Sequence, residues 1–256
     1  MSTFVLVHGS WHGAWCWERL VPMLEVNGHH VCAVDLPGMG RDRTDPNEVS
    51  FALCVQKIVD ALTAANGPVI LVGHSLAGVL ITQVAEICPE RVAALVYLAA
   101  FVPSDGESCA QLSGDDHGTL PFGMRISPDG MTALVLDPWI VPSFYNDCSE
   151  VDTIDAVRRI KQQPMAPLLQ PVAISDARSG SVPSVYIECL RDHAITPGFQ
   201  RQMQAARSFE FVLSLDTGHS PFISAPSDLA KHLLTVSQFA ERWSNARLSA
   251  PSGSSV

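Results

Sequence analysis

Positive charge is scarce in this sequence, and lysine and arginine form no run. Only 16 basic residues stand against 26 acidic ones, which gives a formal net charge of −10 at pH 7. A surface of this sign repels phosphate backbones, so the composition disfavours nucleic acid as a partner.

Long apolar stretches are missing as well. No stretch approaches the roughly 18 consecutive apolar residues that a membrane-spanning helix requires. The first residues, Met-Ser-Thr, lead straight into Phe4–Val7 with neither a basic nor an extended hydrophobic leader segment. The sequence therefore predicts a cytoplasmic protein that stays out of membranes.

The cysteines lack any recognisable pattern. They number seven, an odd count, and no C-x-x-C spacing occurs among them. Without a disulfide framework or a zinc-type spacing, we expect small buried hydrophobic side chains in a reducing compartment. The seven are Cys16, Cys32, Cys54, Cys88, Cys109, Cys148 and Cys189.

The overall amino-acid composition is that of an ordinary globular domain. Short runs of Val, Ile and Leu alternate with helical patterns, which predicts an α/β fold. Because these runs lack polar alternation, we expect a mostly parallel central sheet of about six strands flanked by helices. The predicted strands are Phe4–Val7, Val31–Val34, Val69–Val72, Ala93–Leu98, Val185–Leu190 and Phe209–Leu213, and the predicted helices are Trp15–Asn27, Ser50–Ala65, Leu76–Ile87, Pro197–Ala206 and Pro226–Trp243.

Residues 103–182 interrupt this alternation of predicted strands and helices. About 80 residues between two predicted strands are too many for a plain connection. We predict an inserted lid there, with a helix near Val151–Ile160, between core segments 1–102 and 183–244. Residues 245–256 are rich in Ser, Pro and Gly, which predicts a disordered tail.

A predicted strand runs directly into a tight turn and a helix at residues 69–78. The turn reads Gly-His-Ser-Leu-Ala-Gly, close to G-x-S-x-G but with Ala77 at the second small position. A serine on such a turn adopts a strained backbone, so its neighbours must be small, and the following helix N-terminus favours negative charge beside it. The pattern predicts Ser75 as a nucleophile, and the alternative is an ordinary glycine-rich turn with a passive serine.

A serine nucleophile needs a general base, and the base needs a carboxylate that orients it. His219 lies in a loop between the last predicted strand and a helix, which suits the chain order Ser, Asp, His of such sites. Asp192 directly follows the strand Val185–Leu190 and is the first candidate for the acid. Glu188 and Asp216 are weaker candidates.

The charge that develops on a carbonyl oxygen during acyl transfer requires preorganised N–H donors. Leu76, directly after the nucleophile, supplies one backbone N–H. Ser10, in the loop after the first strand, supplies the second.

Two histidines in that same loop allow an alternative reading as metal ligands. His8 and His12 have the i, i+4 spacing of ligands on one helix face, but Gly9 and Gly13 oppose a helix there and no third ligand is near. We therefore predict no metal and no other cofactor.

Five segments are distinctive: Val-His-Gly-Ser-Trp-His-Gly-Ala-Trp at 7–15, Ala-Val-Asp-Leu-Pro-Gly at 33–38, Gly-His-Ser-Leu-Ala-Gly at 73–78, Leu-Ala-Ala-Phe-Val-Pro at 98–103 and Val-Tyr-Ile-Glu-Cys at 185–189. Together they resemble the α/β-hydrolases of the plant methylesterase and hydroxynitrile lyase type and their bacterial carboxylesterase and pyrethroid-hydrolase-like relatives. The resemblance covers about residues 3–240 and is weakest in the lid. It implies an α/β-hydrolase fold with Ser75, His219 and Asp192 as the triad and Ser10 and Leu76 as oxyanion donors.

The resemblance also implies a choice between two chemistries. Hydroxynitrile lyases of this type carry a threonine where this chain has Gly9, and a lysine where it has Ser220. That lysine stabilises the leaving cyanide, so its absence favours ester hydrolysis.

We therefore predict a serine carboxylesterase that forms an acyl-enzyme on Ser75 and hydrolyses small to medium esters with apolar or aromatic groups. The expected partner is a small-molecule ester, and a homodimer is allowed. A hydroxynitrile lyase-type enzyme and a non-catalytic small-ligand receptor remain open as alternatives. The side chains expected to line the pocket or fill the lid are Phe101, Phe122, Met124, Met131, Trp139, Phe144 and Tyr145.

Overall fold

The structure is a computed structural model that describes the backbone of residues 1–249 and the side chains of residues 1–243. Its last helix continues to Ser249, past the predicted end at Trp243, so residues 245–249 are helical where a tail was expected. The remainder of the predicted tail, residues 250–256, lies outside the described residues. The division into core segments and an inserted lid stays a prediction.

Six parallel strands form the central sheet, as the sequence predicts. Their order is β2-β1-β3-β4-β8-β9. The last strand lies two residues later than the predicted Phe209–Leu213. The strands are β1 (Thr3–Val7), β2 (His30–Val34), β3 (Val69–His74), β4 (Val92–Leu98), β8 (Ser184–Cys189) and β9 (Phe211–Leu215). Every residue of β3 and β8 is buried, which explains why apolar side chains predominate in both strands.

Helices flank this sheet, and α2 shows why the sequence forms them. Ser50 caps its N-terminus by accepting a hydrogen bond from the Leu53 N–H at 3.1 Å. Its buried side chains recur at helical spacing and pack against the strands. Outside residues 103–182, the α-helices are α1 (Val21–Glu25), α2 (Phe51–Ala64), α3 (Ala77–Ile87), α9 (Pro197–Ala206), α10 (Pro221–Ser224) and α11 (Pro226–Ser249).

The predicted helix Trp15–Asn27 is wrong. The chain forms a 3-10 turn at Ala14–Trp17 and a separate short α1 at Val21–Glu25. Pro22 explains the break, because proline has no N–H to continue a helix from the preceding turn. Pro22 instead occupies the first turn of α1, where a missing donor is tolerated.

Residues 103–182, the segment predicted to be a lid and named the lid for that reason, contain a small antiparallel sheet in addition to helices. The sheet has the order β5-β6-β7 and is not predicted from the sequence. Strands of two to four residues are too short to show a readable alternation. The strands are β5 (Met124–Ile126), β6 (Thr132–Val135) and β7 (Gln163–Pro164), and the helices are α4 (Cys109–Gly114), α5 (Leu120–Gly123), α6 (Asp137–Phe144), α7 (Glu150–Arg159) and α8 (Ala166–Leu169). The predicted lid helix near Val151–Ile160 is α7.

All seven cysteines are unpaired. Five are buried, as expected of small hydrophobic side chains. Cys148 is half-buried and Cys32 is exposed, so the expectation of burial is wrong for Cys32. Among the residues described, no helix has the length and apolar character needed to cross a membrane.

Two glycines allow α3 to start directly behind β3. A Cβ on Gly78 would lie 2.1 Å from the Phe101 carbonyl oxygen. A Cβ on Gly73 would lie 2.9 Å from the carbonyl oxygen of Ala77, in the first turn of the helix. Both contacts are with backbone, which cannot move aside as a flexible side chain would.

The variant Gly78→Ala tests this close packing. We expect overpacking to lower the free energy of unfolding by about 1–3 kcal/mol, measured by urea denaturation. Gly198→Ala is the matched control, because a Cβ there would meet nothing within 4 Å. In α9 the added methyl should change stability by less than about 1 kcal/mol, and in the stabilising direction. Equal stabilities of the two variants would contradict the packing argument.

Candidate active site

The site lies at the carboxyl edge of the parallel sheet. The order β2-β1-β3 means that the chain leaves β1 toward one side and β3 toward the other, which opens a crevice between their carboxyl ends. The predicted site residues occupy loops at this edge. Ser10 follows β1 and Ser75 follows β3, whereas Asp192 follows β8 and His219 follows β9.

Ser75 has a left-handed backbone with φ of 54°. Side-chain-bearing residues rarely adopt this conformation, and it marks positions that the surrounding structure must hold in place. The Ser75 N–H donates to the Leu98 carbonyl at 3.3 Å, and the Ser75 carbonyl accepts from the Phe101 N–H at 3.1 Å. Ser75 is 6% exposed and stands at the start of α3.

Asp192 and His219 form a buried hydrogen-bonded pair. His219 Nδ1 lies 2.7 Å from Asp192 Oδ2, and both side chains are almost inaccessible to solvent. The carboxylate can only accept, so Nδ1 carries the proton and Nε2 keeps a free lone pair when the ring is neutral. This is the tautomer that a general base for a serine requires.

The buried carboxylate of Asp192 is satisfied by three further donors. Its Oδ1 accepts from the backbone N–H groups of Ala194 at 2.7 Å and Ile195 at 3.0 Å. Its Oδ2 also accepts from the Gln200 side-chain amide at 3.2 Å. These bonds fix the carboxylate before it meets the imidazole. The role of Gln200, on α9, was not foreseen in the sequence.

The two weaker candidates for the acid have other partners. Glu188 accepts from Arg201 Nε at 3.1 Å and from the Ser214 hydroxyl at 2.8 Å. Asp216 is largely exposed and pairs with Arg191 at 3.0 Å. Only Asp192 of the three candidates contacts His219.

His74, the residue before Ser75, links the serine turn to the base. Its Nε2 lies 2.9 Å from the His219 carbonyl oxygen, and the two ring centroids are 4.5 Å apart. Within the described residues, Ser75 Oγ and His219 Nε2 make no hydrogen bond with each other. The structure thus joins Asp192 to His219, and it joins His219 to the serine turn through His74.

The two expected oxyanion donors remain available. Ser10 and Leu76 are buried, and in the described part of the chain neither backbone N–H donates to a protein acceptor. Leu76 immediately precedes α3, so the partial positive charge of that helix N-terminus favours negative charge beside the Leu76 N–H.

His8 and His12 use their ring nitrogens to hold loops. His8 Nδ1 lies 2.8 Å from the Gly9 carbonyl, and His8 Nε2 accepts from the Leu36 N–H at 3.1 Å. His12 Nδ1 lies 2.7 Å from the Ser10 carbonyl, and its Nε2 lies 2.9 Å from the Tyr145 hydroxyl. Both ring nitrogens of each histidine are therefore engaged in hydrogen bonds within the protein. Across residues 1–243, whose side chains the structure describes, no three His, Cys, Asp or Glu side chains come together as a metal-binding group.

A pocket of about 290 Å³ opens onto Ser10 and Ser75. Phe101 and Met124, two of the residues expected at the pocket, line it, whereas Phe122 is exposed and stacks on Trp139. Cys109 also lines the pocket, but burial raises the pKa of its thiol, which makes it a poor rival nucleophile. The main apolar lining residues are Trp11, Phe101, Leu120, Pro121, Met124, Met165 and Leu168.

In this parallel sheet, a serine with left-handed backbone conformation lies on the tight turn between a strand and a helix. That arrangement is typical of α/β-hydrolases. The chain belongs to the alpha/beta hydrolase family, whose profile matches residues 4–232. The family expected from the sequence is therefore confirmed.

Individual relatives cover almost the whole chain. Salicylic acid-binding protein 2 of Nicotiana tabacum is 32% identical over 91% of this chain and 96% of its own length. Methylesterase 1 of Arabidopsis thaliana is 31% identical over 91% of this chain and 95% of its own length. The crystal structure of a pyrethroid hydrolase from Sphingobium faniae is 28% identical, with a TM-score of 0.83 over 94% of this chain and 97% of that one. Three longer Arabidopsis thaliana relatives have names that place them in the chloroplast, and this chain spans 64% to 72% of their length.

The buried histidines should make stability depend on pH. Burial lowers the pKa of His12 to about 3 and of His8 to about 4, from 6.5. Below pH 6.5 the unfolded chain therefore takes up protons that the folded protein does not, and acid favours unfolding. We expect the free energy of unfolding to fall by about 1–2 kcal/mol per histidine between pH 7 and pH 5, measured by urea denaturation.

The control separates these histidines from other titrating groups. His12→Gln should reduce the difference between the two pH values, whereas His30→Gln, at an exposed position, should leave it unchanged. Unfolding free energies that do not differ between pH 7 and pH 5 would contradict the neutral buried state.

Proposed function

We propose that this protein is a serine carboxylesterase that hydrolyses small to medium carboxylic esters through an acyl-enzyme on Ser75. The chain is a hydrolase that acts on esters, in keeping with its family and with relatives named for esterase activity. The observation that carries the assignment is the buried Asp192–His219 hydrogen bond, because it leaves Nε2 free to accept a proton at the edge where the serine stands.

In the acylation step, Ser75 Oγ attacks the ester carbonyl carbon and His219 Nε2 takes the hydroxyl proton. The Ser75–His219 hydrogen bond forms when substrate binds, since catalytic hydrogen bonds are often long in unliganded sites. The carbonyl oxygen becomes negative and accepts from the N–H groups of Ser10 and Leu76. The C–O bond to the alcohol then breaks, and the alcohol leaves with the proton from His219.

Deacylation repeats the same chemistry with water. His219 removes a proton from a water molecule that attacks the acyl carbon, and the carboxylic acid leaves as the proton returns to Ser75 Oγ. Asp192 stays ionised throughout and stabilises the imidazolium. The three further donors to its carboxylate support that state.

The pocket indicates the kind of ester. Its volume of about 290 Å³ is at the lower end of the usual range for small-molecule sites, and its lining is mainly apolar. Among the described residues, no lysine or arginine contributes to that lining, so no cationic side chain there would pair with a charged group on the ester. Esters with apolar or aromatic groups of modest size fit these walls.

The lyase alternative has less support. A Cβ on Gly9, where such lyases carry threonine, would lie 2.7 Å from Ser75 Cβ and 2.8 Å from His74 Nδ1. Ser220, at the position of their lysine, is neutral and fully buried. A receptor without turnover stays an alternative, and one relative is named for binding salicylic acid. Cytoplasmic location and a homodimer also stay predictions.

Ester hydrolysis by variants tests the proposal. Wild type should hydrolyse p-nitrophenyl butyrate, and Ser75→Ala should lower kcat by roughly four orders of magnitude or more because no acyl-enzyme forms. Asp192→Asn should lower kcat by about four orders of magnitude because the amide selects the wrong tautomer of His219.

Ser237→Ala is the control, since it removes another buried serine hydroxyl on α11. It should retain wild-type kcat. Similar rates of ester hydrolysis by wild type and Ser75→Ala would overturn the assignment of Ser75 as the nucleophile. Tight binding of a small molecule with no ester cleavage would support the receptor, and faster release of cyanide from mandelonitrile than of any alcohol from an ester would support the lyase.

Acyl-chain selectivity tests the pocket. Leu168 is 8% exposed and lines it, whereas its neighbour Leu169 is 53% exposed. Leu168→Ala should raise the ratio of kcat/KM for p-nitrophenyl hexanoate over acetate by about tenfold, because a longer chain fills the new space. Leu169→Ala should leave the ratio unchanged. A response to Leu169→Ala alone would mean that the acyl group binds elsewhere.

A further inference from the structure

The oxyanion loop, residues 9–12, contains a second strained residue. Trp11 has φ of 62°, the left-handed region that an aromatic side chain rarely occupies. It directly follows Ser10, whose N–H is the proposed oxyanion donor. A backbone in this region persists only where its surroundings over-determine it.

Every polar group of Trp11 is bonded to the lid. Its N–H donates to Gln163 Oε1 at 3.1 Å, its indole Nε1–H donates to the Ala133 carbonyl at 3.0 Å, and its carbonyl accepts from the Lys161 N–H at 2.9 Å. Ala133 belongs to β6 and Gln163 to β7, so the small lid sheet is the element that holds the strained residue.

The lid also reaches Ser10 through a pair of rings. The Ser10 carbonyl can only accept, so His12 Nδ1 must donate to it, which leaves Nε2 as the acceptor of the Tyr145 hydroxyl proton. Burial lowers the pKa of His12 to about 3 and raises that of Tyr145 well above its usual value, which agrees with a neutral ring and a protonated phenol. Both residues are 1% exposed.

These contacts hold the two peptide planes that meet at Ser10. His8 Nδ1–H donates to the Gly9 carbonyl and so holds the peptide that carries the Ser10 N–H. The next peptide is held at both of its polar atoms, at the Ser10 carbonyl by His12 and at the Trp11 N–H by Gln163. The core holds the first plane only at the Gly9 carbonyl. Because the two planes meet at the Ser10 α-carbon, the lid, by fixing the second plane at both of its polar atoms, also restricts the rotation of the first plane and of its Ser10 N–H.

We propose that Tyr145 and Gln163 are positioning residues that hold the Ser10 N–H in its oxyanion-binding orientation, so that the lid contributes to transition-state stabilisation as well as to substrate binding. The proposal rests on the proposed esterase function. Neither residue lines the pocket. Their loss should therefore weaken binding of the oxyanion and leave ground-state binding of the ester nearly unchanged.

The test combines Tyr145→Phe and Gln163→Leu with the control Tyr97→Phe. Tyr97 is also fully buried, and its hydroxyl bonds to Thr82 within the core at 2.7 Å. With p-nitrophenyl butyrate, both lid variants should lower kcat by about tenfold with KM within about twofold of wild type. The control should keep wild-type kcat and KM.

Benzyl trifluoromethyl ketone provides the readout that a purely structural role would not change. Ser75 Oγ adds to its carbonyl carbon, the hydroxyl proton passes to His219, and the resulting oxyanion lies in the hole. Its inhibition constant should rise about tenfold in both lid variants and not in Tyr97→Phe. Unchanged inhibition and unchanged kcat in the lid variants, or equal losses in all three variants, would overturn the proposal.

Amide hydrogen exchange separates this proposal from the proposed function. Exchange in a peptide covering residues 8–12 should be faster in Tyr145→Phe and Gln163→Leu than in wild type, and unchanged in Tyr97→Phe. If wild type neither cleaves esters nor binds the ketone, the esterase assignment fails, and exchange alone decides whether the lid holds the loop. Wild-type exchange in both lid variants would overturn the positioning role whatever the activity.

Discussion

The left-handed backbone of Ser75 is the constraint on which the rest of the site depends. A serine in this conformation at the end of a buried strand must be held from outside its own turn. Strand β4 and the segment after it supply the hold, through the Leu98 carbonyl and the Phe101 N–H. The same segment lies so close to α3 that residue 78 has no room for a side chain. The central strands therefore fix the position of the hydroxyl before any ligand arrives.

Separate parts of the chain complete the site around Ser75. The loop after β8 presents a carboxylate that backbone N–H groups and Gln200 already satisfy, so the acid does not depend on the base for its orientation. The proposed base, His219, is held on one side by this carboxylate and on the other by His74, which bonds to its backbone carbonyl. The lid contributes most of the apolar pocket wall. The loops at the carboxyl edge of the central sheet thus hold Ser75, Asp192 and His219, and residues 103–182 provide most of the pocket lining.

Much of this architecture could be read from the sequence, because its determinants are local. Uninterrupted Val, Ile and Leu runs indicate buried parallel strands, and the small residues around Ser75 indicate a strand–turn–helix. Asp192 and His219 follow from their positions after strands and from chain order. The break at Pro22 shows the limit of helical periodicity, because one missing N–H outweighed the apolar pattern of residues 15–27.

What could not be read depends on contacts between side chains that belong to separate elements of the fold. Tyr145 meets His12 across 133 residues, and Gln200 meets Asp192 from the far side of a loop. Neither pair leaves a spacing or composition that a sequence pattern would reveal. The lid strands β5, β6 and β7 were missed because two to four residues are too few to establish a period.

The bare backbone at Gly9 has a consequence for how this protein can change. Its α-carbon packs against the serine turn so closely that the first added carbon would meet both Ser75 and His74. A substitution at residue 9 therefore disturbs Ser75, the proposed nucleophile, before it can offer any new group to a ligand. New chemistry that needs a side chain there requires an earlier, permissive change that moves the loop away from the turn. The order in which mutations arise, and not only their identity, would decide which activities descendants of this chain can reach.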